Sequence, residues 1–392
     1  MNQFKIPYGK QSISQKDIDG VIETLKSDFM TQGPKVPEFE EKFAEFVGAK
    51  YAIACSNGTA ALHLATMALE VSEKDHVISC PNTFVATTNS VLYCGGNVSF
   101  CDINKDNFTI DLDELERILN ANPGKYSGVM PIHFAGYPVD MERLGKLAEK
   151  HGLWIIEDAC HAPGAKFQKE NGEWSRIGSC EFSEMTCFSF HPVKHIACGE
   201  GGMVTTNSKE LYEKMLLLRT HGVTKNPDLL EKNDGPWYYE MPVLGYNYRL
   251  TELQASLGIT QLEVIHENLE HRQNVANHYF DQLRDLPVEL PLVENGKYHA
   301  YHLFVIRTEK RKDLQQYLMD HNIFSQVHYI PVHLQPYYKK NLGTKEGDFP
   351  VIEDYYSKCL SIPMFHSLSL EEQDYVIQTI NNFYNSSKLG NI

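Results

Sequence analysis

With 392 residues, of which 42% are hydrophobic and 22% charged, the chain is long enough for two domains and a large core. Its 51 acidic and 36 basic side chains give a formal net charge of −15, which excludes a general nucleic-acid binder, because phosphate backbones demand clustered Lys and Arg. Nine cysteines without a Cys-x-x-Cys pair point to free thiols in a reducing cytosol, and neither a signal peptide nor an apolar run of membrane-spanning length is evident, so a cytoplasmic protein is expected.

The first predicted element is an amphipathic helix over 14–28, capped by Ser14 with Asp17 three positions on. A loop at Thr31-Gln32-Gly33-Pro34 leads to a second helix over 36–47. Strands and helices then alternate: strand 51–55, helix 59–69, strand 76–80, helix 83–94, strand 98–101 and helix 112–120. Short apolar runs at 128–132 and 153–156 flank a helix over 141–151. Two further apolar runs, 185–190 and 203–206, bracket a glycine-rich loop. This alternation predicts a mostly parallel sheet with helices on both faces. A long helical stretch over 250–283, with a break near Glu267, ends the first part. The texture then changes to strand 301–306, helix 310–321, strand 326–330 and a closing helix over 369–387, which reads as a smaller α+β domain.

Four groups fall where such a sheet binds ligands, beyond the carboxyl ends of its strands. Lys194 sits in Ser189-Phe190-His191-Pro192-Val193-Lys194, between a core strand and the glycine-rich turn. Desolvation there would lower its pKa and make it a nucleophile toward an aldehyde or ketone; a solvated surface lysine is the plainer alternative. Ser56-Asn57-Gly58-Thr59-Ala60 opens a helix and offers an anion seat, or simply an N-cap. Glu157-Asp158 ends a buried strand, where a carboxylate pairs with a cation, such as a protonated heteroaromatic nitrogen, or caps the next segment. Phe84 is either a ring for a planar cofactor to stack on or a core residue. Together these are the parts of a pyridoxal phosphate site. No Gly-x-Gly-x-x-Gly, Walker lysine or His-Glu-x-x-His occurs, which disfavours dinucleotide, nucleoside triphosphate and metal chemistry.

With these residues in order, the chain closely resembles the sugar aminotransferases of the DegT/DnrJ/EryC1/StrS family over essentially its whole length. The resemblance implies an α/β, aspartate aminotransferase-like type I fold. A large pyridoxal phosphate-binding domain over 1–269 would carry a mixed, mostly parallel sheet, with a smaller α+β domain over 270–392. It implies that Lys194 carries the cofactor, that Ser189, Gly58, Thr59 and Ala60 hold its phosphate, and that Phe84 stacks on it. It also puts Asp158 on the pyridine nitrogen and His161 near the phenolic oxygen. Gly245-Tyr246-Asn247-Tyr248-Arg249-Leu250 matches a loop that reaches into the neighbouring subunit, so Asn247 would bind the phosphate of a partner in a homodimer.

Three segments resemble the branch of the family that serves pseudaminic acid biosynthesis: residues 27–34, residues 235–239 and residues 327–338. They make Thr31, Gln32, Tyr238, His328, Tyr329 and His333, with His191 beside the lysine, the expected substrate contacts. The implied reaction aminates carbon 4 of a UDP-linked 4-keto-6-deoxy-N-acetylhexosamine of L-altro configuration, with glutamate as donor. Alternatives are a sister aminotransferase for another keto-sugar, such as that of the bacillosamine pathway, and a non-catalytic sugar-binding protein. A dehydratase of the same family would carry His in place of Lys194. Two departures stand out: the phosphate loop reads Asn57-Gly58-Thr59-Ala60 where Ser-Ala-Thr-Ser is common in this branch. Ala197 and Cys198 occupy positions where threonines are expected, removing possible hydroxyl contacts near the cofactor.

Overall fold

A computed structural model describes residues 4–389. Local signals set its first boundaries. Helix α1 (Gln15–Lys26) opens on a reciprocal cap: the Ser14 hydroxyl accepts from the Asp17 amide at 3.2 Å, and the Asp17 carboxylate accepts from the Ser14 amide at 2.7 Å. Helix α2 (Lys35–Val47) has no such cap. The buried Glu252 carboxylate serves instead, accepting from the Lys35 amide at 2.6 Å, where a negative charge also suits the helix dipole. Gly48, at φ 83°, ends α2 in the left-handed turn that favours glycine.

Beyond it run β1 (Tyr51–Cys55), α3 (Gly58–Ala68), β2 (His76–Ser79), α4 (Ala86–Tyr93), β3 (Asn97–Phe100), α5 (Leu112–Ala121), β4 (Gly128–Met130), α6 (Met141–His151) and β5 (Trp154–Asp158). A hairpin of β6 (Lys166–Gln168) and β7 (Trp174–Arg176) precedes β8 (Met185–Ser189), β9 (Gly202–Thr206) and α7 (Lys209–Arg219). The main sheet has seven strands in the order β1-β9-β8-β5-β4-β2-β3. All are parallel except β9, which runs against both β8 and β1.

Alternating side chains feed both faces, as a doubly covered sheet requires. Ala54, Ile155, Phe188 and Met203 face Phe39 and Phe43 of α2 and Ile259 of α8 (Glu252–Glu263). Their neighbours Ile53, Ile156, Cys187 and Val204 face Leu64 of α3 and Leu218 of α7. Phe39, Phe43, Phe188 and Phe190 are wholly buried, each ring contributing about 1.5–3 kcal/mol by its removal from water.

The remaining elements are α9 (Ile265–Leu283), β10 (Lys297–Tyr298), β11 (Phe304–Arg307), α10 (Arg311–Asp320), α11 (Pro336–Leu342), α12 (Pro350–Lys358), β12 (Cys359–Ile362) and α13 (Leu370–Leu389). β11 and β12 pair antiparallel over a third core that joins Val275 and Tyr279 of α9 to Leu314, Val376 and Ile380. Helix α9 passes unbroken through residue 270, and its half from Val275 onward serves this third core.

Several boundaries differ from expectation. The long helical stretch breaks at Val264 rather than near Glu267. Helix α4 starts at Ala86, because Asn82 and Thr83 form a loop in which Asn82 Nδ2 donates to the Phe108 carbonyl at 3.0 Å. The strand expected over 326–330 does not form. Only Gln326 pairs, with Ser361, and the side chains of His328 and Tyr329 turn instead to Ser361 and His161. Tyr301 to Leu303 lie outside the strand that begins at Phe304, since Tyr301 takes φ 46°. The β6–β7 hairpin, β10, α7, α11, α12 and β12 carry short or mixed patterns that the sequence reading passed over.

Candidate active site

A cavity of about 870 Å³ opens beyond the carboxyl ends of β1, β2, β5 and β8. Lys194 enters it from the loop between β8 and β9. Three backbone bonds brace that loop: Phe190 N to Gly201 O at 2.8 Å, Cys198 N to Phe190 O at 2.9 Å and Lys194 N to His191 O at 2.8 Å. Burial penalises the charged amine and pulls the Lys194 pKa down to about 8, against the opposing pull of Cys160 and Asp158. An amine in that range has a substantial uncharged fraction near neutral pH and can act as a nucleophile.

The strand period decides what the two acids of β5 do. Glu157 points away from the cavity and is held by three donors, His133 Nε2 at 2.7 Å, Ser183 Oγ at 2.5 Å and Thr186 Oγ1 at 2.9 Å. Asp158 points into it, 6% exposed. It accepts from Thr87 Oγ1 at 2.6 Å and from the Cys160 amide at 3.1 Å. A carboxylate has room for about four such bonds, so Asp158 keeps acceptor capacity toward the cavity.

His161 lines the same wall. Its Nδ1 accepts from the Ala135 amide at 3.3 Å, which leaves the ring proton on Nε2, 2.9 Å from the Tyr329 hydroxyl. Burial holds its pKa well below the ordinary value, so the ring is neutral. Phe84, 59% exposed, stands at the cavity's edge with its ring centre 6.3 Å from that of Tyr329.

Opposite lies the N-terminus of α3. Asn57 Oδ1 caps it by accepting from the Ala60 amide at 2.8 Å, while the Gly58 and Thr59 amides belong to the first turn, which has no intrahelical acceptor. Gly58 is required there: a Cβ would come within 2.8 Å of Ser189 Cβ and 3.1 Å of its Oγ. Two amides, two hydroxyls and the positive helix end thus converge as an anion seat.

These residues fit pyridoxal phosphate: a phosphate seat, an acceptor for the pyridine nitrogen, a ring at the edge and a desolvated amine share one cavity. Eleven of the sixteen predicted residues line it: Gly58, Thr59, Ala60, Phe84, Asp158, His161, Ser189, His191, Lys194, His328 and Tyr329. Five do not. Thr31, Gln32 and Asn247 are exposed, and Tyr238 is half-buried with its hydroxyl donating to Glu240 at 2.7 Å. The expectation for His333 needs correction, because it is wholly buried with Nε2 bonded to Glu353 at 2.9 Å, a packing role behind the cavity wall. Ala197 and Cys198 are likewise buried and off the wall, so the missing hydroxyls remove nothing from the cavity lining.

The sequence reading missed Tyr8, Tyr93, Cys160, Glu200, Tyr248 and His302 on the wall. It also missed Thr87, whose spacing from Thr83 (one helical turn, hydroxyls 2.7 Å apart) was the available signal. His302 was read as part of a core strand, and nothing local marked Tyr8.

Comparisons with known proteins agree with this geometry. The model of the DegT/DnrJ/EryC1/StrS aminotransferase family matches residues 11–381. The UDP-4-amino-4,6-dideoxy-N-acetyl-beta-L-altrosamine transaminase of Campylobacter jejuni is 35% identical, over 98% of this chain and 99% of that one. The structure of PseC from Helicobacter pylori, an aminotransferase involved in the biosynthesis of pseudoaminic acid, superposes with a TM-score of 0.87. It is 30% identical and covers 98% of this chain and all of that one (100%). Spr1654 of Streptococcus pneumoniae, in its PLP form, superposes with a TM-score of 0.89 at 28% identity, over 98% of this chain and 99% of its own; it is also solved in a PMP form. The chain belongs to the DegT/DnrJ/EryC1/StrS aminotransferase family and is a sugar aminotransferase that uses pyridoxal phosphate.

Proposed function

We propose that this enzyme moves the amino group of glutamate to carbon 4 of a UDP-linked 4-keto-6-deoxy-N-acetylhexosamine of L-altro configuration, in pseudaminic acid biosynthesis. The observation that carries the reaction type is the convergence of Lys194, Asp158 and the α3 anion seat on one cavity. Its likeness to a transaminase of that sugar supports the substrate.

The cofactor, when bound, supplies an electron sink and carries nitrogen between the two substrates. The chain's residues do the rest. The Gly58 and Thr59 amides with Ser189 would hold the phosphate, and Asp158 would hold a proton on the pyridine nitrogen. His161 and Tyr329 would face the ring's oxygen side, and Phe84 would cover a face. Lys194 Nζ would anchor the cofactor, and as a free amine it would take a proton from the donor's α-carbon and, in the sugar half-reaction, deliver one to the sugar's carbon 4. His191 and His328 line the same cavity and would face the sugar.

Among the described residues Lys194 is the only lysine or arginine on the cavity wall, and its charge is partial, yet glutamate and a sugar diphosphate are both anions. A second copy would complete the site with neutral hydrogen-bonding groups, Asn247 reaching the phosphate and Thr31, Gln32 and Tyr238 reaching the sugar. Exposed apolar side chains support a homodimer: Ile18, Ile22, Leu25, Phe29 and Met30 in and after α1, and Trp237, Met241 and Leu244 in the segment that holds Asn247. The same reading divides the chain at residues 269 and 270, supported by the separate third core. It places the protein in the cytoplasm, in keeping with nine free cysteines.

The test is a half-reaction. The enzyme is loaded with amine from glutamate, freed of glutamate, and given one keto-sugar at a time while the cofactor's absorbance is followed. Recovery with the L-altro sugar and weak recovery with its D-gluco isomer is expected. The reverse preference would move the enzyme to a bacillosamine-type pathway, and recovery with neither would overturn the substrate class.

A further inference from the structure

Lys194 lies against a side chain that the reaction outlined above leaves without a task. Its Nζ is 3.4 Å from Nε2 of His302, which arrives from the segment before β11, far along the chain. The ring is 4% exposed and packs at 4.4 Å on His161, with His195 at 5.8 Å.

The backbone under His302 is held from several sides. Arg272 of α9, wholly buried, donates from Nη1 to the Tyr301 carbonyl at 2.8 Å and the Met364 carbonyl at 3.3 Å. The Ala300 and Leu303 amides donate to the Gly136 and Ala135 carbonyls at 2.9 and 3.2 Å, and His195 Nε2 donates to the Ala300 carbonyl at 2.8 Å. Tyr301 and Ala135 are held at φ 46° and 56°, values that cost about 1–3 kcal/mol each and persist where the surroundings over-determine them. A Cβ on Gly136 would lie 2.9 Å from the Tyr301 nitrogen and 3.1 Å from that of His302, so glycine alone lets the two segments meet.

The charges facing this pair are few: Asp158 and Cys160 beyond β5, Arg272 on α9, and the imidazoles of His161, His195 and His328. Burial keeps His302 neutral. With its proton on Nδ1, it offers a lone pair at Nε2 to the lysine's N–H. That Nδ1 is buried with no hydrogen-bond partner, which costs about 1–3 kcal/mol. The ring is therefore kept in place for what its other nitrogen touches.

We propose that His302 is a positioning residue for Lys194, accepting from Nζ and fixing the direction in which the amine crosses the cavity whenever it is free. This rests on the role given to Lys194 above and extends it to a side chain from the other end of the fold.

Three full-length proteins test it: wild type, His302→Leu and His302→Gln, the last keeping an acceptor at about the reach of Nε2. The first measurement is trace labelling of Lys194 by acetic anhydride in the cofactor-free chain, mapped by peptide across pH. Loss of the acceptor disfavours the ammonium, so the midpoint in His302→Leu falls by about one pH unit and His302→Gln restores it. The second is the glutamate half-reaction, slowed about 10- to 100-fold in His302→Leu with KM within about two-fold, and recovered to within about three-fold in His302→Gln. One labelling midpoint shared by all three proteins, or a loss that Gln does not recover at unchanged thermal stability, would overturn the proposal. Labelling needs no turnover, so failure of the aminotransferase reading registers separately, as a wild type that cannot exchange nitrogen at all.

Discussion

Glu157 and Asp158 are adjacent in sequence, both carboxylates and both buried, yet they end on opposite sides of β5 in different surroundings. The Glu157 side is closed: a histidine and two hydroxyls take up most of its acceptor capacity, and no cavity lies before it. The Asp158 side is open: one hydroxyl and one amide hold it, and the rest faces an 870 Å³ cavity. The closed side supports the fold, and spare capacity on the open side supports chemistry. What separates them is one step of a period-two strand.

Substitutions on the two sides should therefore fail in different ways. The largest effect is expected on the open side from Lys194→Ala, which should abolish turnover while the chain still folds, with a cooperative melting transition no lower than that of the cofactor-free wild type at neutral pH. Measurable catalysis by this variant would remove the lysine from its role. Asp158→Asn should keep the cofactor, seen by its absorbance, and slow each half-reaction by about 100-fold or more, roughly the 3 kcal/mol of an interaction strengthened in the transition state. An unchanged rate would mean that the wrong carboxylate has been chosen.

The closed side should answer in stability instead. Glu157→Gln leaves the His133 and hydroxyl donors competing for a weaker acceptor, so unfolding should become easier by about 1–3 kcal/mol, with the rate per folded molecule little changed. Equal damage to rate and stability from both acids would dissolve the contrast. Lys194 offers a pH version of the same test. Its pKa is near 8 in the folded chain and near 10.5 when unfolded, so the unfolded state binds the extra proton between those values. Stability of the cofactor-free chain should rise across that window, by up to about 3 kcal/mol, and the rise should vanish in Lys194→Met. Denaturant titrations at pH 8 and 10 measure it. The smallest expected effect is that of Gly58→Ala, whose methyl presses on Ser189. Phosphate-dependent cofactor affinity should drop by about ten-fold, with a stability loss of about 1 kcal/mol.

Much of this contrast was legible in the chain. Buried runs such as Trp154 to Asp158 have one reading as strands, and caps such as Ser14 with Asp17 fix helix starts within a residue or two. Lys194, Asp158 and the Asn57-Gly58-Thr59 turn could be placed because their signals are local: a strand end followed by a glycine or an N-cap. Tyr8 and His302 could not, since each reaches the cavity from sequence more than a hundred residues from Lys194, through contacts with no local pattern. His333 misled for the converse reason. It sits in the same aromatic-rich run as His328 and Tyr329, and only the turn Val332–Leu334 takes it behind the wall to Glu353.

The reversed strand β9 has a consequence for how such an enzyme can change over evolution. Because β9 returns beside β8, the twelve residues 190–201 form a closed cassette with both ends fastened to adjacent inner strands of the sheet. Phe190, His195 and Ile196 tie the cassette to the core, while a residue that faces the cavity, Lys194 included, can be exchanged without moving a strand or shifting a register. A new chemistry can thus be tried on an intact scaffold by exchange within a single loop.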